Sequence, residues 1–131
     1  MSRRDSNPPS SAHDAGSREA RRAARRHVVE PMQVSNTMTE QVIGRVGNVS
    51  ETGMLLIASV PLVEDALYQL RFSIRDARGR EQAMNVGAHL LWLSQANTPG
   101  QSFAGLRFLT LDSAAREALA AWVAAAGTAA R

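Results

Sequence analysis

From Val28 onward, apolar and polar residues alternate along the chain with a period of two, the spacing of strands that bury one face. Val28, Met32 and Val34 open the pattern, a second run covers Glu40 to Val49, and Met54 to Ile57 form a third after the turn-like Ser50-Glu-Thr-Gly53. Tyr68, Leu70, Phe72 and Ile74 alternate with Gln69, Arg71, Ser73 and Arg75, which predicts a strand with one wet face. Asp76-Ala-Arg-Gly79 supplies a hairpin turn, and Met84, Val86, Ala88, Leu90 and Trp92 fall on one face of the next strand. A loop at Asn97-Thr-Pro-Gly100 precedes the last strand, Phe103 to Leu109. The period then changes. Asp112 is placed to cap a helix from Ser113 to Ala126 that Gly127 would stop, with Ala115, Leu119, Trp122 and Ala126 on one face. Many short antiparallel strands followed by one helix predict a mostly β fold: a small barrel with a C-terminal α-helix beside it.

The first 27 residues carry no such pattern. Residues 1–17 are rich in Ser, Asn, Pro, Asp and Gly and are expected to be a disordered arm. Between Ser17 and Arg26 the only apolar residue is Ala, too little to hold a free helix. With 131 residues there is room for one domain and a tail, and neither an internal repeat nor a second domain is evident. No stretch approaches the roughly 18 consecutive apolar residues of a membrane span. The arginines near Met1 lack the apolar run of a secretory signal, so the expected compartment is the cytoplasm.

Charge sharpens the picture of the arm. All fifteen basic residues are arginine, and residues 1–30 hold seven of them against four carboxylates, while the remainder of the chain is balanced. The whole excess of +3 therefore lies at the N-terminal end, which suits either a solubilising tail or a segment with an anionic partner. Arginine is the residue for gripping phosphate with a two-pronged fork.

Two clusters could carry binding chemistry. Arg21-Arg22-Ala-Ala-Arg25-Arg26 contains Arg-x-x-x-Arg twice, as Arg21/Arg25 and as Arg22/Arg26. About twenty residues on, Asn48-Val-Ser50-Glu-Thr-Gly53 ends the second strand, where Asn48 and Ser50 would project from one face and Gly53 would allow a turn with a positive φ. Either cluster alone is common. Trp92 shares its predicted face with Val86 and Leu90, so core packing outweighs stacking on a ligand as its role, and Trp122 falls on the apolar stripe of the helix. His89 is expected on the opposite face from Trp92, without carboxylate neighbours, and Arg107 fits either a ligand contact or a solvated surface. Glu64 and Asp65 are adjacent and should diverge. Cysteine is absent, and no phosphate loop, His-based metal spacing or nucleophile elbow occurs, so catalysis and a metal or other cofactor are not expected.

In this order, the two clusters followed by a barrel pattern and a capped helix resemble the PilZ domain family. The resemblance covers roughly residues 18–126 and includes the stretch from Gly44 to Leu56 and the closing segment from Phe103 to Phe108. It implies a PilZ-like β-barrel that binds the bacterial second messenger cyclic di-GMP between the motifs. Residues 18–27 would be the arginine-rich ligand loop, 28–111 the barrel and 112–126 the helix, within a domain of 18–127 and a short tail of 128–131. The implied ligand contacts are Arg21, Arg22, Arg25, Arg26, Asn48, Ser50 and Gly53, with Trp92 a candidate for stacking. Spacing to Val28 and Met32 slightly favours Arg21/Arg25 as the family pair. Such a domain would act as a receptor or adaptor that changes shape on binding and signals to a separate downstream protein, without entering a membrane. The alternative is a nucleic-acid-binding small barrel with a basic arm. That needs exposed aromatics as stacking platforms, and most of the few aromatics here fit core positions.

Overall fold

A computed structural model describes residues 24–129, with side chains to Ala126. Seven strands and one helix follow in order: β1 (Arg26–His27), β2 (Gln33–Asn36), β3 (Gln41–Val49), β4 (Gly53–Ala58), β5 (Leu67–Arg75), β6 (Glu81–Gln95), β7 (Ser102–Thr110) and α1 (Ser113–Ala129). All pairings are antiparallel. The sheet order is β1-β3-β2-β5-β6-β7-β4, and β4 pairs back onto β3, which closes six strands into a barrel and leaves β1 as an extra rung. Among the described residues no helix is long and apolar enough to cross a membrane.

The core is the inward half of the alternation. Val34, Ile43, Val46, Leu56, Leu70, Phe72, Met84, Val86, Leu90, Ala104 and Leu106 are all buried, and Phe72 stacks on Phe108 at 6.3 Å between ring centroids. Helix α1 closes the structure with Leu119 and Val123 buried against this core and Trp122 partly so. Asp112 caps it as expected, its Oδ1 accepting the Ala115 amide at 2.8 Å. The helix does not stop at Gly127 but continues to Ala129. Glycine costs a helix only about 1 kcal/mol relative to alanine, and no proline follows to end it.

The hairpin at Asp76 forms as predicted. Gly79 has φ of 80°, and the Asp76 carboxylate accepts the amides of Arg78 and Arg80, each at 2.9 Å. One strand departs from simple alternation. Between Leu90 and Trp92 the register of β6 against β7 shifts by one residue: Leu90 faces Leu106, but Trp92 faces Gly105. This bulge turns Trp92 out of the core and brings Leu93 against it instead. Trp92 is 44% exposed, so the expected core role for it is corrected.

Candidate surface for an anionic ligand

The first described arginines diverge at once. β1 pairs Arg26 with Val49 and His27 with Asn48 along the end of β3. Neighbouring side chains on an extended chain take opposite faces. Arg25 therefore lies outside with Asn48, and its Nη1 donates to Asn48 Oδ1 at 2.6 Å. Its neighbours partly desolvate the guanidinium, which lowers its pKa from the ordinary value, yet the group remains protonated. Arg26 goes the other way. Its Nη1 donates to the Trp122 carbonyl at 2.9 Å, and its Cζ sits 3.9 Å from the centroid of the Trp122 ring. Arg26 thus binds the helix, and Arg25 meets the second motif. Arg21 and Arg22 lie outside the described residues, as do the arm and most of the arginine loop.

In the second motif the three residues have different surroundings. Asn48 is half-buried on the outer face, beside a register shift between Val46 and Asn48. Ser50 is fully buried: its Oγ accepts the Thr52 amide at 3.1 Å, lies 3.0 Å from Thr52 Oγ1 and reaches the Gly53 carbonyl at 3.4 Å. The hydroxyl is occupied in shaping the β3–β4 turn that follows Asn48 and Val49. Gly53 has no positive φ. Its lack of a side chain serves a close strand approach, because a Cβ there would stand 2.3 Å from the Leu106 carbonyl oxygen. From α1, Arg116 donates to the Glu51 carbonyl at the turn tip at 3.4 Å.

Beyond Asn48 the barrel presents a shallow strip. The registers align Asn48 with Leu55, Leu55 with Gly105, and Gly105 with Trp92, across β3, β4, β7 and β6. A Cβ on Gly105 would fall 2.2 Å from Trp92 Nε1 and 2.3 Å from Cε2, so the indole occupies the space of the missing side chain. This cross-strand pairing of an aromatic with a glycine fixes the ring against the sheet. The next row along the same face runs Gly53, Arg107, His89, Leu67. His89 does have a carboxylate partner, Asp65, with Nε2 to Oδ1 at 2.5 Å. Glu64 diverges from Asp65 to accept the Leu93 amide at 2.9 Å.

The strip is polar and cationic at the Arg25 end and apolar to aromatic at the Trp92 end. It can therefore take a flat, anionic molecule through hydrogen bonds at one end and stacking at the other. A separate cleft of about 430 Å³ opens where β2 and β5 part, between Met32, Ser35, Arg71 and Glu81, and includes none of the motif residues. No group of three or more His, Asp or Glu side chains that could hold a metal converges among the described residues. Leu55 and Gly105 were not singled out in the sequence. Their signal exists only once the bulge at Leu91 places Trp92 over Gly105.

The same barrel recurs in solved structures. The inhibitor of motility from Bacillus subtilis (MotI/DgrA) superposes with a TM-score of 0.71 at 12% identity, over 84% of this chain and 52% of that one. YcgR from Escherichia coli, solved in complex with c-di-GMP, gives 0.65 at 18% identity, over 84% and 47%. The PilZ domain of YcgR with c-di-GMP gives 0.60 at 16% identity, over 84% and 93%. This chain spans about half the length of the first two. No curated protein matches it by sequence. The family model for the PilZ domain matches residues 19–125, from the arginine cluster through the barrel to the helix, and the chain belongs to the PilZ domain family.

Proposed function

We propose that this chain is a cyclic di-GMP receptor that binds its ligand on the outer face of the barrel, along the strip from Arg25 and Asn48 to Trp92. The observation that carries the reading is the 2.6 Å bond between Arg25 and Asn48, which joins one residue from each motif at the edge of an exposed aromatic strip. Two of the similar solved structures, YcgR and its PilZ domain, contain c-di-GMP, which supports the same ligand class here.

In this reading Arg21 and Arg25 are the ligand pair, since Arg26 is engaged by Trp122. Their guanidiniums grip the phosphodiesters or the guanine edge, Asn48 completes the polar contacts, and Trp92 stacks on a base. Ser50 and Gly53 hold the turn and the strand spacing that keep Asn48 in place. The domain works by binding and not by catalysis. Its output passes to a separate protein: ligand drawn to Arg25 pulls on β1, and Arg26, one peptide away, holds α1. Binding thereby changes how the helix is presented.

Calorimetric titration of the chain tests the reading. Cyclic di-GMP should bind saturably and far better than cyclic di-AMP, because adenine offers an amino donor where guanine offers the O6 acceptor. Equal or tighter binding of single-stranded DNA, with a steep salt dependence, would replace the receptor by a nucleic-acid-binding barrel.

A further inference from the structure

Arg107 stands on the same face in the row beside the strip, two residues beyond Gly105 on β7. Ala104, Leu106 and Phe108 point into the core, so the alternation of β7 sends Arg107 outward with Gly105. It is exposed and faces Gly53 on one side and His89 on the other. Among the described residues, none forms a hydrogen bond or ion pair with its guanidinium. The remaining polar groups nearby are satisfied: His89 bonds Asp65, and Glu64 accepts the Leu93 amide. Among the described residues, Arg107 is a cation with its fork unused.

Its position relative to Trp92 limits what it can reach. Trp92 opposes Gly105, two residues before Arg107, so Trp92 and Arg107 are diagonal neighbours across the β6–β7 pair, about 7–8 Å apart at Cα and within reach of long side chains. An arginine in that place meets the edge of whatever lies on the indole. From Asn48 on β3 to Gly105 on β7 the strip crosses two strand intervals, roughly 10 Å at the usual spacing, and Arg107 lies two residues further along β7, so Arg25 and Arg107 flank the strip from two sides.

We propose that Arg107 is a specificity residue that forks to O6 and N7 of the guanine stacked on Trp92, so that arginines grip the ligand from two sides. The proposal rests on the cyclic di-GMP reading above. Guanine presents two acceptors on that edge, which the two-pronged guanidinium matches, while adenine presents a donor beside its acceptor. Lysine keeps the charge without the fork.

The test is a cycle of calorimetric titrations on the full chain, comparing the wild type, Arg107→Ala and Arg107→Lys. The probes are cyclic di-GMP and its 7-deazaguanine analogue, in which a C–H replaces the N7 acceptor. The wild type should lose affinity for the analogue, and both variants should bind cyclic di-GMP about tenfold or more weakly. Both variants should discriminate less against the analogue than the wild type does. Wild-type affinity in Arg107→Ala, or full recovery by lysine, overturns the proposal. So does an undiminished penalty for the analogue in the variants, which would make Arg107 a general charge contact. A wild type that does not bind cyclic di-GMP at all overturns the receptor reading itself, a result distinct from these.

Discussion

Replacing Gly53 by alanine separates two roles for the motif glycine. Were it a turn hinge, the substitution would cost only what a left-handed backbone costs. The structure gives a different number. A Cβ at Gly53 would lie 2.3 Å from the Leu106 carbonyl oxygen, 3.3 Å from its carbon and 3.4 Å from Arg107 Cα. These are all backbone atoms, so no rotamer change relieves the overlap, and β4 must retreat from β7 by the better part of an ångström. That retreat strains the Gly53–Arg107 rung and the bond from the Phe108 amide to the Thr52 carbonyl, now 2.9 Å. Overpacking of this kind costs about 1–3 kcal/mol, and each weakened hydrogen bond about 1 more, so we expect a loss of about 2–4 kcal/mol.

Urea unfolding followed by circular dichroism reads the loss. With a slope of about 1–3 kcal/mol/M, the midpoint should fall on the order of 1–3 M. Two other glycines calibrate the result. Gly79 has φ of 80° and nothing within 4 Å of a built Cβ, so Gly79→Ala should cost about 1–2 kcal/mol of backbone strain alone. Gly47 lacks a positive φ, and its Cβ would touch the Leu55 side chain and carbonyl at 3.3 Å, so Gly47→Ala should be neutral to within about 1 kcal/mol. A Gly53→Ala variant as stable as Gly47→Ala would refute the close-approach argument.

The adjacent arginines should behave differently. Arg25→Ala should leave the urea midpoint unchanged and weaken cyclic di-GMP about tenfold or more in calorimetry. Arg26→Ala, which loses the Trp122 ring and carbonyl, should cost about 2 kcal/mol in unfolding. Gly105→Ala should push the indole off the strip, seen as a shift of the Trp92 Nε1–H resonance and a loss of ligand affinity, with no such shift for Trp122. The Asp76 carboxyl is held below its usual pKa chiefly by the Arg80 amide; desolvation opposes this, and the Arg78 amide and the Arg80 guanidinium add to the lowering. Its contribution to the hairpin is therefore complete above the ordinary carboxylate pKa and is lost as pH falls through the lower folded value. Amide shifts of Arg78 and Arg80 should titrate together there, and Asp76→Asn should abolish that step.

The barrel is legible in the sequence because its strands alternate strictly wherever they bury one face: the period of two alone turns Leu70, Phe72 and Ile74 inward, and likewise Met84, Val86 and Leu90. The helix cap at Asp112 is legible for an equally local reason. What alternation cannot show is a break in itself. The bulge after Leu90 has no composition of its own, so Trp92 reads as core when it is surface, and Gly105 beneath it reads as an ordinary strand glycine. The second motif is recognisable as a string, but the string does not say which members face solvent. Ser50 lies one residue past the end of β3 and folds its hydroxyl into the turn, so the expected projection beside Asn48 does not hold. Nor does spacing reveal that the carboxylate of Asp65 reaches His89, 24 residues away.

In the receptor reading, strand geometry favours one register of the doubled arginine motif where counting favours neither strongly. Either register satisfies Arg-x-x-x-Arg, but β1 begins at Arg26 and is paired with β3, so the faces of Arg25 and Arg26 are fixed by Val49 and Asn48 opposite. Arg26 shares the side of Val49, where Trp122 waits, and only Arg25 can reach Asn48. Each of the two does one thing, and neither can substitute for the other without reversing the strand. In the receptor reading this placement also decides where a signal can go. β1 has two residues, whereas β4 to β7 pair over six or more, so β1 is the element a ligand moves at least cost. Its nearest dependant is α1, through Arg26. Arg116 ties the same helix to the motif turn at Glu51, so in this reading the helix is linked to both motifs.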